Sequence, residues 1–553
     1  MSETIERRTG GRILVDALAA NSVDTVYCVP GESYLPVLDA LHDAPGVRTI
    51  TTRHEGAASN MADAYGKLTG RPGICFVTRG PGATHASNGV HTASEDSTPM
   101  ILFIGQVENR MIGRGAFQEI DYRQMFGGIA KWVTEIDHIE RIPEIVAKAF
   151  SIASSGRPGP VVIALPEDVL FGDAEVPDAP AARIAHAGPD RRALDELSNL
   201  LAAALQPLVI LGGTGWNEES TSALQRFVVQ NNLPVAASFR RQDLFDNRDP
   251  HYVGQLGLGV SPKLAERVKN SDLLIVIGSR LAETTSSGYT LIESPSPRQT
   301  MVHVHPDAEE LGRVFQARLP IVANLHSFAL ALDNIHPVPS ARWLEWTSSA
   351  RAGYIAHSTP PQTARELDGV DLAQIVAHLN EVLPEDAVVS NGAGNYTVWV
   401  HRFFRYRAPA TELAPTNGAM GYGLPAAIAA KLREPNRSVV CFAGDGCFMM
   451  YAQELATAVQ YGAAVVVIVV NNGMLGTIRM HQEREYPRRV SGTALTNPDF
   501  VALEKAYGAF GCRVEETEDF PAAFAAAQAS GQPALIELRA DPRQSTPSLR
   551  LNA

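Results

Sequence analysis

Residues 441–476 read CFAGDGCFMMYAQELATAVQYGAAVVVIVVNNGMLG, and their order of residue types is the strongest structural signal in the chain. A short apolar run is followed by Gly444-Asp445-Gly446, an Ala-rich segment, a second apolar run and Asn471-Asn472. This order predicts a strand, a turn, a helix and a second strand, which together form one βαβ unit of a parallel sheet. Ligands of open α/β sheets bind at the carboxyl ends of the strands, so we expect both polar groups at one binding edge.

The residue types in this unit suit a diphosphate and a divalent cation. The glycines let the backbone turn sharply and approach a ligand closely, and the free N–H groups of the following helix attract an anion. Asp445 offers an anionic oxygen, and Asn472 offers a neutral oxygen 27 residues later. With the carbonyl of Met474 and diphosphate oxygens, they can complete the octahedral shell of Mg²⁺. A lone Gly-Asp-Gly is more often a plain strand-ending turn, and no P-loop Gly-Lys-Ser/Thr follows it.

The spacing from Gly-Asp-Gly to Asn-Asn resembles the signature of thiamine-diphosphate enzymes. A second motif lies near the start of the chain, where Arg53-His54-Glu55 and Ala57-Ala58 follow a predicted strand at 47–51. Taken alone, Glu55 is a first-turn carboxylate that the helix dipole stabilises. The string nevertheless resembles the pyrimidine-domain motif of the same enzymes. The resemblance implies that Glu55, in a mostly apolar pocket, shares a proton with the aminopyrimidine ring and so activates the cofactor.

The whole chain resembles the acetohydroxyacid-synthase-like group of these enzymes, which also contains 2-oxo-acid decarboxylases, pyruvate oxidases and carboligases. Short β-branched runs alternate with Ala-rich stretches, which predicts α/β domains with doubly wound parallel sheets. The resemblance implies three of them: a pyrimidine-binding domain at 1–180, a central Rossmann-like domain at 190–336 and a diphosphate-binding domain at 366–545. Polar, Pro-containing stretches at 173–189 and 337–369 are predicted as linkers.

Buried strands are predicted at the apolar runs of each domain. They are 25–29, 74–78, 100–104 and 160–164 in the first domain, 207–211, 234–237, 273–277 and 300–303 in the second, and 387–390, 438–442, 465–470 and 534–537 in the third.

The resemblance assigns a set of residues to the cofactor and its metal. Met420, between glycines, is expected to wedge between the two cofactor rings, although plain core packing is the alternative. Biosynthetic synthases usually carry Gln-His where this chain has Asn395-Tyr396, which puts those side-chain contacts in question. The predicted cofactor-binding residues are Glu55, Gly394, Asn395, Tyr396, Gly418, Met420, Gly444, Asp445, Gly446, Asn472, Met474 and Leu475, and the predicted metal ligands are Asp445, Asn472 and Met474.

Four residues are predicted to be catalytic, namely Glu55, which activates the cofactor, and Gln118, Glu32 and His85. Gln118 lies in a Phe-Gln-Glu stretch that matches the synthase-like sequence near the substrate site. Glu32 stands where synthases have a small residue and simple decarboxylases have an Asp, so it is either a proton relay or a solvated turn carboxylate. His85 lies near the expected pocket and is a candidate for proton transfer. Arg79 either binds a substrate carboxylate or caps its own loop.

The implied function is decarboxylation of a 2-oxo acid followed by carboligation, as in acetolactate synthase. The alternative is a 2-oxo-acid decarboxylase or an acyloin or 2-hydroxyacyl lyase without a ligation step, which Glu32 favours. His481 favours it too, since it replaces a large aromatic residue of the synthases. Synthases and oxidases of this group bind FAD in the central domain. The turn at 212–215 and the stretch at 254–259 match the FAD motifs only in part, so FAD is left open but not favoured.

Composition excludes several other classes of protein. The net charge of -13 argues against a nucleic-acid partner. No apolar run reaches the ~18 residues of a membrane span, and no signal-like apolar segment follows the charged first residues. The five cysteines are scattered, and most lie in apolar runs, so we expect reduced core thiols and a cytoplasmic location.

The assembly follows from the resemblance. Glu55 and Asp445 lie in different predicted domains. In this family the two domains meet across a subunit interface, so a homodimer or homotetramer with interfacial active sites is expected.

Overall fold

Three six-stranded parallel sheets with flanking helices make up most of the computed structural model, which describes residues 6–361 and 367–551. The chain divides into two compact units. The first contains the residues up to Ala185 with Ile428–Arg433 and Tyr451–Tyr461, and the second contains His186–Ala427, Glu434–Met450 and the chain from Gly462 onward. The boundaries predicted for the three domains stay predictions. Two of these boundaries, residues 1 and 366, lie outside the described part of the chain.

The first sheet has the strand order β3-β2-β4-β5-β7-β6. Its part of the chain has the strands β1 (Arg7–Thr9), β2 (Thr25–Cys28), β3 (Arg48–Thr51), β4 (Gly73–Val77), β5 (Met100–Gln106), β6 (Trp132–Glu135), β7 (Pro160–Pro166) and β8 (Asp173–Glu175). The helices are α1 (Gly10–Ala20), α2 (Leu35–His42), α3 (Glu55–Thr69), α4 (Pro81–Asp96), α5 (Tyr122–Phe126), α6 (Ile142–Ser154) and α7 (Glu167–Phe171).

The second sheet has the order β11-β10-β9-β12-β13-β14. Its strands are β9 (Pro207–Leu211), β10 (Val235–Ala237), β11 (Tyr252–Gln255), β12 (Leu273–Ile277), β13 (Thr300–His305) and β14 (Leu319–Val322). The helices of this part are α8 (Arg191–Ala203), α9 (Glu218–Gln230), α10 (Pro262–Asn270), α11 (Leu325–Ala331) and α12 (Leu344–Ser358).

The third sheet has the order β16-β15-β17-β18-β20-β19. The strands of this part are β15 (Val388–Asn391), β16 (Glu412–Leu413), β17 (Val439–Gly444), β18 (Val466–Asn471), β19 (Phe510–Val514), β20 (Ala534–Arg539), β21 (Gln544–Thr546) and β22 (Leu549–Arg550). The helices are α13 (Leu372–Val382), α14 (Thr397–Phe403), α15 (Gly423–Arg433), α16 (Asp445–Phe448), α17 (Glu454–Tyr461), α18 (Gly476–Glu485), α19 (Phe500–Ala506) and α20 (Phe520–Ala529).

The predicted doubly wound α/β class is confirmed, and each predicted strand overlaps an observed one. Strands in the middle of each sheet, such as β5, β9 and β12, are buried along their whole length. Helices that cover both faces of a parallel sheet account for such continuous apolar runs. The strand order changes direction between β2 and β4 in the first sheet and between β15 and β17 in the third. The carboxyl ends of strands at such switch points are where ligands bind.

The sequence predictions missed strands at the sheet edges. β6, β11, β14, β16 and β19 are all edge strands, and none of them was predicted. β14, for example, alternates buried and exposed residues rather than forming an apolar run. An edge strand bonds to a neighbour on one side only, so its sequence carries a weaker signal.

The predicted linkers also contain regular structure. β8, within the predicted stretch 173–189, pairs antiparallel with β1. The fifteen-residue helix α12 lies within the predicted linker 337–369, of which residues 362–366 lie outside the described part. The fully buried Trp343 precedes α12, and its indole N–H donates to the carbonyl of Asn231 at 2.8 Å. The prolines that suggested a linker flank this helix, and long-range packing orders it.

Four of the five thiols are buried and the fifth, Cys512, is half-buried, as predicted for core cysteines.

In the described residues, no helix has both the length and the apolar character needed to cross a bilayer.

Candidate active site

A cavity of about 280 Å³ lies at the carboxyl end of the third sheet. Residues after β15 and after β17, the two strands at the switch point, lie side by side in its wall. Every cofactor-binding residue predicted for this part of the chain lines the cavity, namely Gly394, Asn395, Tyr396, Gly418, Met420, Gly444, Asp445, Gly446, Asn472, Met474 and Leu475.

Asp445 is held by three hydrogen bonds. Its Oδ1 accepts the N–H of Gly446 at 2.9 Å, and its Oδ2 accepts the N–H of Gly473 at 2.9 Å. The side-chain amide of Asn497 donates to the same Oδ2 at 2.7 Å. Burial raises the pKa of Asp445, and these three donors oppose that rise by stabilising the carboxylate. The carboxylate is therefore fixed in orientation and solvated by protein groups.

The two asparagines after β18 have different environments. Asn471 turns into the sheet, where its amide donates to Glu537 at 2.8 Å and its oxygen accepts from Asn497 at 3.0 Å. Asn472 lines the cavity, and its oxygen accepts the N–H of Met474 at 3.2 Å. Asp445, Asn472 and Met474 thus line one cavity, and between them they offer a carboxylate, an amide oxygen and a backbone carbonyl. This set of hard oxygen donors fits Mg²⁺.

The Asn395-Tyr396 pair is engaged by protein atoms. Asn395 donates to the hydroxyl of Ser545 at 2.8 Å and accepts from Thr477 at 3.0 Å. The Tyr396 hydroxyl accepts the N–H of Gly392 at 3.1 Å and donates to the Cys447 sulfur at 3.3 Å. Both side chains therefore line the cavity while bonding to protein atoms.

Close packing explains two glycines of this cavity. A Cβ on Gly446 would lie 2.8 Å from Leu475 and 3.8 Å from the terminal methyl of Met420. A Cβ on Gly444 would lie 3.0 Å from the ring of Tyr396. The helix predicted after this motif is divided, because α16 ends at Phe448 and α17 begins at Glu454.

A second group of predicted residues lies in the first unit, around the start of α3. Glu55 is the first residue of α3, and its Oε2 lies 2.8 Å from Nδ1 of His85 on α4. The ring of His54 stacks on His85 with centroids 4.5 Å apart. Nδ1 of His54 accepts the N–H of Gly56 at 3.0 Å, which caps the helix. The side chain of Glu55 is 14% exposed and that of His85 is 50% exposed. The carboxylate expected in an apolar pocket thus has an imidazole beside it.

Burial lowers the pKa of His54, with a further contribution from the neighbouring His85, whereas Glu55 opposes the shift. The His54 ring therefore stays neutral down to a lower pH than a free imidazole does.

Gln118 and Glu32 lie in loops beside the start of α4. Gln118 has a φ of +66°, and a Cβ on Gly80 would lie 2.8 Å from the Gln118 Cβ. Glu32 begins a 3₁₀ turn after β2, and its side chain is 74% exposed. Its carboxylate lies 3.7 Å from the Arg79 guanidinium, which also forms an ion pair with Glu167. Arg79 is thus bound within the protein, which fits a loop-capping role better than a free substrate anchor.

The glycine-rich turn of the central sheet is packed against neighbouring backbone. A Cβ on Gly212 would lie 2.4 Å from the hydroxyl of Ser238, and one on Gly213 would lie 2.4 Å from the carbonyl of Gly278. These glycines therefore have a packing role, whether or not a flavin binds there.

Several residues at this cavity, Asn497 and residues near 541–551, were not predicted from the sequence. Asn497 binds Asp445 from 52 residues away, and the residues Asp541, Pro542, Gln544, Ser545 and Leu551 line the same cavity. No local pattern marks these residues, because their roles depend on how loops meet at the sheet edge.

The fold and this site define the chain as a thiamine-diphosphate enzyme. Models described as the thiamine pyrophosphate enzyme N-terminal TPP binding domain, central domain and C-terminal TPP binding domain match residues 8–125, 194–332 and 392–538. The chain therefore belongs to the thiamine pyrophosphate enzyme family.

Within this family the chain is similar to acetolactate synthases. It is 32% identical over 537 residues to acetolactate synthase large subunit IlvB1 of Mycobacterium tuberculosis, covering 93% of this chain and 85% of the relative. It is 30% identical over 534 residues to acetolactate synthase isozyme 2 large subunit of Escherichia coli, covering 96% and 95%. The protein is a thiamine-diphosphate-dependent, acetolactate-synthase-like enzyme.

Proposed function

We propose that the protein removes CO₂ from a 2-oxo acid and joins the remaining acyl unit to a second carbonyl compound, in keeping with relatives named acetolactate synthases. The observation that carries this proposal is the convergence of Asp445, Asn472 and Met474 on one cavity at the switch point of a parallel sheet. Such an edge with hard oxygen donors suits a magnesium diphosphate.

The cavity residues would bind and orient the cofactor. Thiamine diphosphate, when bound, supplies a carbon nucleophile and takes up the electron pair left when CO₂ departs. Asp445, Asn472 and the Met474 carbonyl would hold Mg²⁺ and, through it, the diphosphate. Met420, which lines the cavity with Gly418, would set the angle between the two rings. These roles require fixed side chains, and the three donors to Asp445 provide that rigidity.

Glu55 would hold and return a proton at its carboxyl group. Its Oε2 is 2.8 Å from His85 Nδ1, and His85 is half-exposed, so the imidazole can pass that proton to and from solvent. Gln118 and Glu32 would act on the substrate side, Gln118 as a hydrogen-bond donor and Glu32 as a proton relay.

The test supplies purified protein with thiamine diphosphate, Mg²⁺ and pyruvate, and measures acetolactate against free acetaldehyde. We expect acetolactate to be the main product. A panel of other 2-oxo acids, and of acyloins in the lytic direction, identifies the preferred substrate. Absence of CO₂ release from every 2-oxo acid, with no acyloin cleaved, would contradict the proposal.

The exposed carboxylate of Glu32 favours a second candidate function. A proton-relay group there could deliver the proton that takes the place of CO₂ in an aldehyde product, which would give a decarboxylase or lyase without ligation. Free aldehyde as the main product would favour this alternative, and Glu32→Ala should then raise the share of acetolactate. A flavin spectrum of the purified protein would show that FAD is also bound.

The proposed assembly is a homodimer or a homotetramer with active sites at the subunit interface. Activity measured across a dilution series, combined with light scattering, tests it. A fully active monomer would contradict it.

A further inference from the structure

Arg240 is a buried arginine close to the end of β10. The residue is 3% exposed. Its Nη2 donates to the carbonyl of Gly392 at 2.8 Å, and its Nη1 donates to the carbonyl of Pro415. The cavity of the third sheet is lined by Gly394 and Gly418. Gly394 lies two residues after Gly392, and Gly418 lies three residues after Pro415. One guanidinium from the central part of the chain therefore joins the two loops that form a wall of that cavity.

We propose that Arg240 is a positioning residue that holds these two loops in their binding conformation before the cofactor arrives. This inference rests on the proposed function, because it takes the cavity to be the cofactor site. The loops concerned, 392–396 and 415–420, are irregular segments after β15 and after β16. Without a link between them, binding would have to order both loops, and that entropy cost would weaken affinity.

The backbone of Arg240 indicates that this position is constrained. Its φ of +60° lies in the left-handed region, which a side chain with a Cβ rarely adopts. Such a conformation costs free energy and persists only where surrounding contacts maintain it. The cost is consistent with a residue whose side-chain direction matters.

The residues after Arg240 reinforce the same link. The N–H of Gln242 donates to Oε2 of the buried Glu412 at 2.6 Å. In return, Oδ2 of Asp243 accepts the N–H of Thr411 at 3.3 Å. These bonds fix the chain immediately before Pro415, so the guanidinium meets a carbonyl that is already held in place.

The geometry also explains why the residue is an arginine. A guanidinium has five N–H donors in one rigid plane and can satisfy two separate carbonyls at once. A lysine ammonium is a compact charge on a flexible stem and would not fix both loops. The ring of Phe239, 4.8 Å from the guanidinium carbon, adds a cation–π contact.

The experiment compares Arg240→Met with Arg351→Met. Arg351 is a matched control in the same unit, because its Nη1 donates to the carbonyls of Asn247 at 2.9 Å and Tyr252 at 2.8 Å, and neither lines the cofactor cavity. For each variant, the midpoint of thermal unfolding is measured without cofactor. The dissociation constant of thiamine diphosphate is then measured by calorimetry at saturating Mg²⁺.

We expect both variants to lower the midpoint of unfolding, but only Arg240→Met to weaken cofactor binding, by about tenfold. At saturating cofactor its kcat should stay near that of the wild type. In Arg240→Ala, added methylguanidinium should restore part of the affinity, whereas Arg351→Ala should not respond. If Arg240→Met does not fold, Arg240→Lys should fold and bind with intermediate affinity.

Wild-type affinity in Arg240→Met or Arg240→Lys would overturn the inference, as would an equal loss in Arg351→Met. A wild-type protein that does not bind thiamine diphosphate would instead overturn the proposed function. The two failures are therefore distinguishable.

Discussion

Glu55 and Asp445 are both carboxylates at the first residue of a helix, yet their surroundings differ. Among the described residues, one side chain, that of the half-exposed His85, lies within hydrogen-bonding distance of Glu55. Asp445 is 2% exposed and accepts three hydrogen bonds from fixed donors. A group that transfers a proton needs a partner that can exchange it, whereas a metal anchor needs a constant charge and a constant position. The two patterns of hydrogen bonding thus match the roles proposed for these carboxylates, proton transfer for Glu55 and metal binding for Asp445.

The sharpest test of this contrast is Glu55→Gln. Glutamine keeps the size and most polar contacts of the side chain but cannot give up a proton at neutral pH. We expect kcat to fall by about 10³-fold while the dissociation constant of thiamine diphosphate changes less than about threefold. Turnover at saturating cofactor and calorimetry measure the two quantities. Near wild-type turnover would remove Glu55 from the mechanism.

Asp445→Asn should produce the opposite pattern. The amide carries no charge for the metal, so Mg²⁺-dependent binding of thiamine diphosphate should weaken by about 100-fold. The thermal stabilisation that cofactor and Mg²⁺ confer should disappear in parallel. Asp499→Asn is the matched control, because Asp499 is an exposed helix cap that asparagine can replace. Equal binding by both variants would show that Asp445 is not the anchor.

Glu504 is a third carboxylate. In the described part of the chain it has neither an imidazole partner, as Glu55 has, nor hydrogen-bond donors, as Asp445 has. It is fully buried, and neither of its oxygens has a hydrogen-bond partner among the described residues. Burial raises its pKa to about 8. Because the folded-state pKa lies above the unfolded value, the protonated form stabilises the fold at low pH. That contribution is lost as pH rises from the unfolded value through about 8.

Glu504→Gln should therefore flatten the dependence of stability on pH. Between about pH 5 and about pH 6.5 we expect the free energy of unfolding of the wild type to fall by about 2 kcal/mol relative to the variant. Urea unfolding at several pH values measures this difference. If the free energies of unfolding of the two proteins changed with pH in the same way, burial would not be what raises the pKa of Glu504.

Asn497→Ala tests whether the donors around Asp445 matter. The substitution removes the 2.7 Å hydrogen bond to Asp445 and the 3.0 Å bond to Asn471. Since such groups orient a metal ligand without touching the metal, we expect about tenfold weaker binding of Mg²⁺ and cofactor, with kcat retained at saturation. Magnesium titrations at fixed cofactor measure the change. An unchanged titration would mean that Gly446 and Gly473 suffice to orient Asp445.

His85→Phe should have the smallest effect. The phenyl ring can keep the stack on His54 but loses the contact to Glu55. We expect this loss to lower kcat by about fivefold. Turnover at saturating cofactor measures the change. His91→Phe, an exposed position on the same helix, is the control. A kcat equal to that of the control would restrict His85 to packing.

The sequence predicted the central strands of all three sheets and missed most of their edges. Central strands such as β9 and β12 are continuous apolar runs that local pattern detects, whereas β14 and β16 depend on the neighbour they join. Helix α12 was missed for a related reason. Prolines near its ends suggested a linker, but the buried Trp343 and its bond to Asn231 order the segment.

Two short motifs in the sequence alone determined the chemical class of this protein. Gly444-Asp445-Gly446 and the string around Glu55 are local patterns, because a glycine turn and a helix start are each built from consecutive residues. Asn472 follows the first motif at the spacing of one βαβ unit. Tertiary structure decided which further groups serve them. His85 joins Glu55 from 30 residues away, Asn497 joins Asp445 from 52, and Arg240 joins Gly392 from 152. Loops that converge at a sheet edge create such contacts, and no periodicity or spacing in the chain records where loops converge.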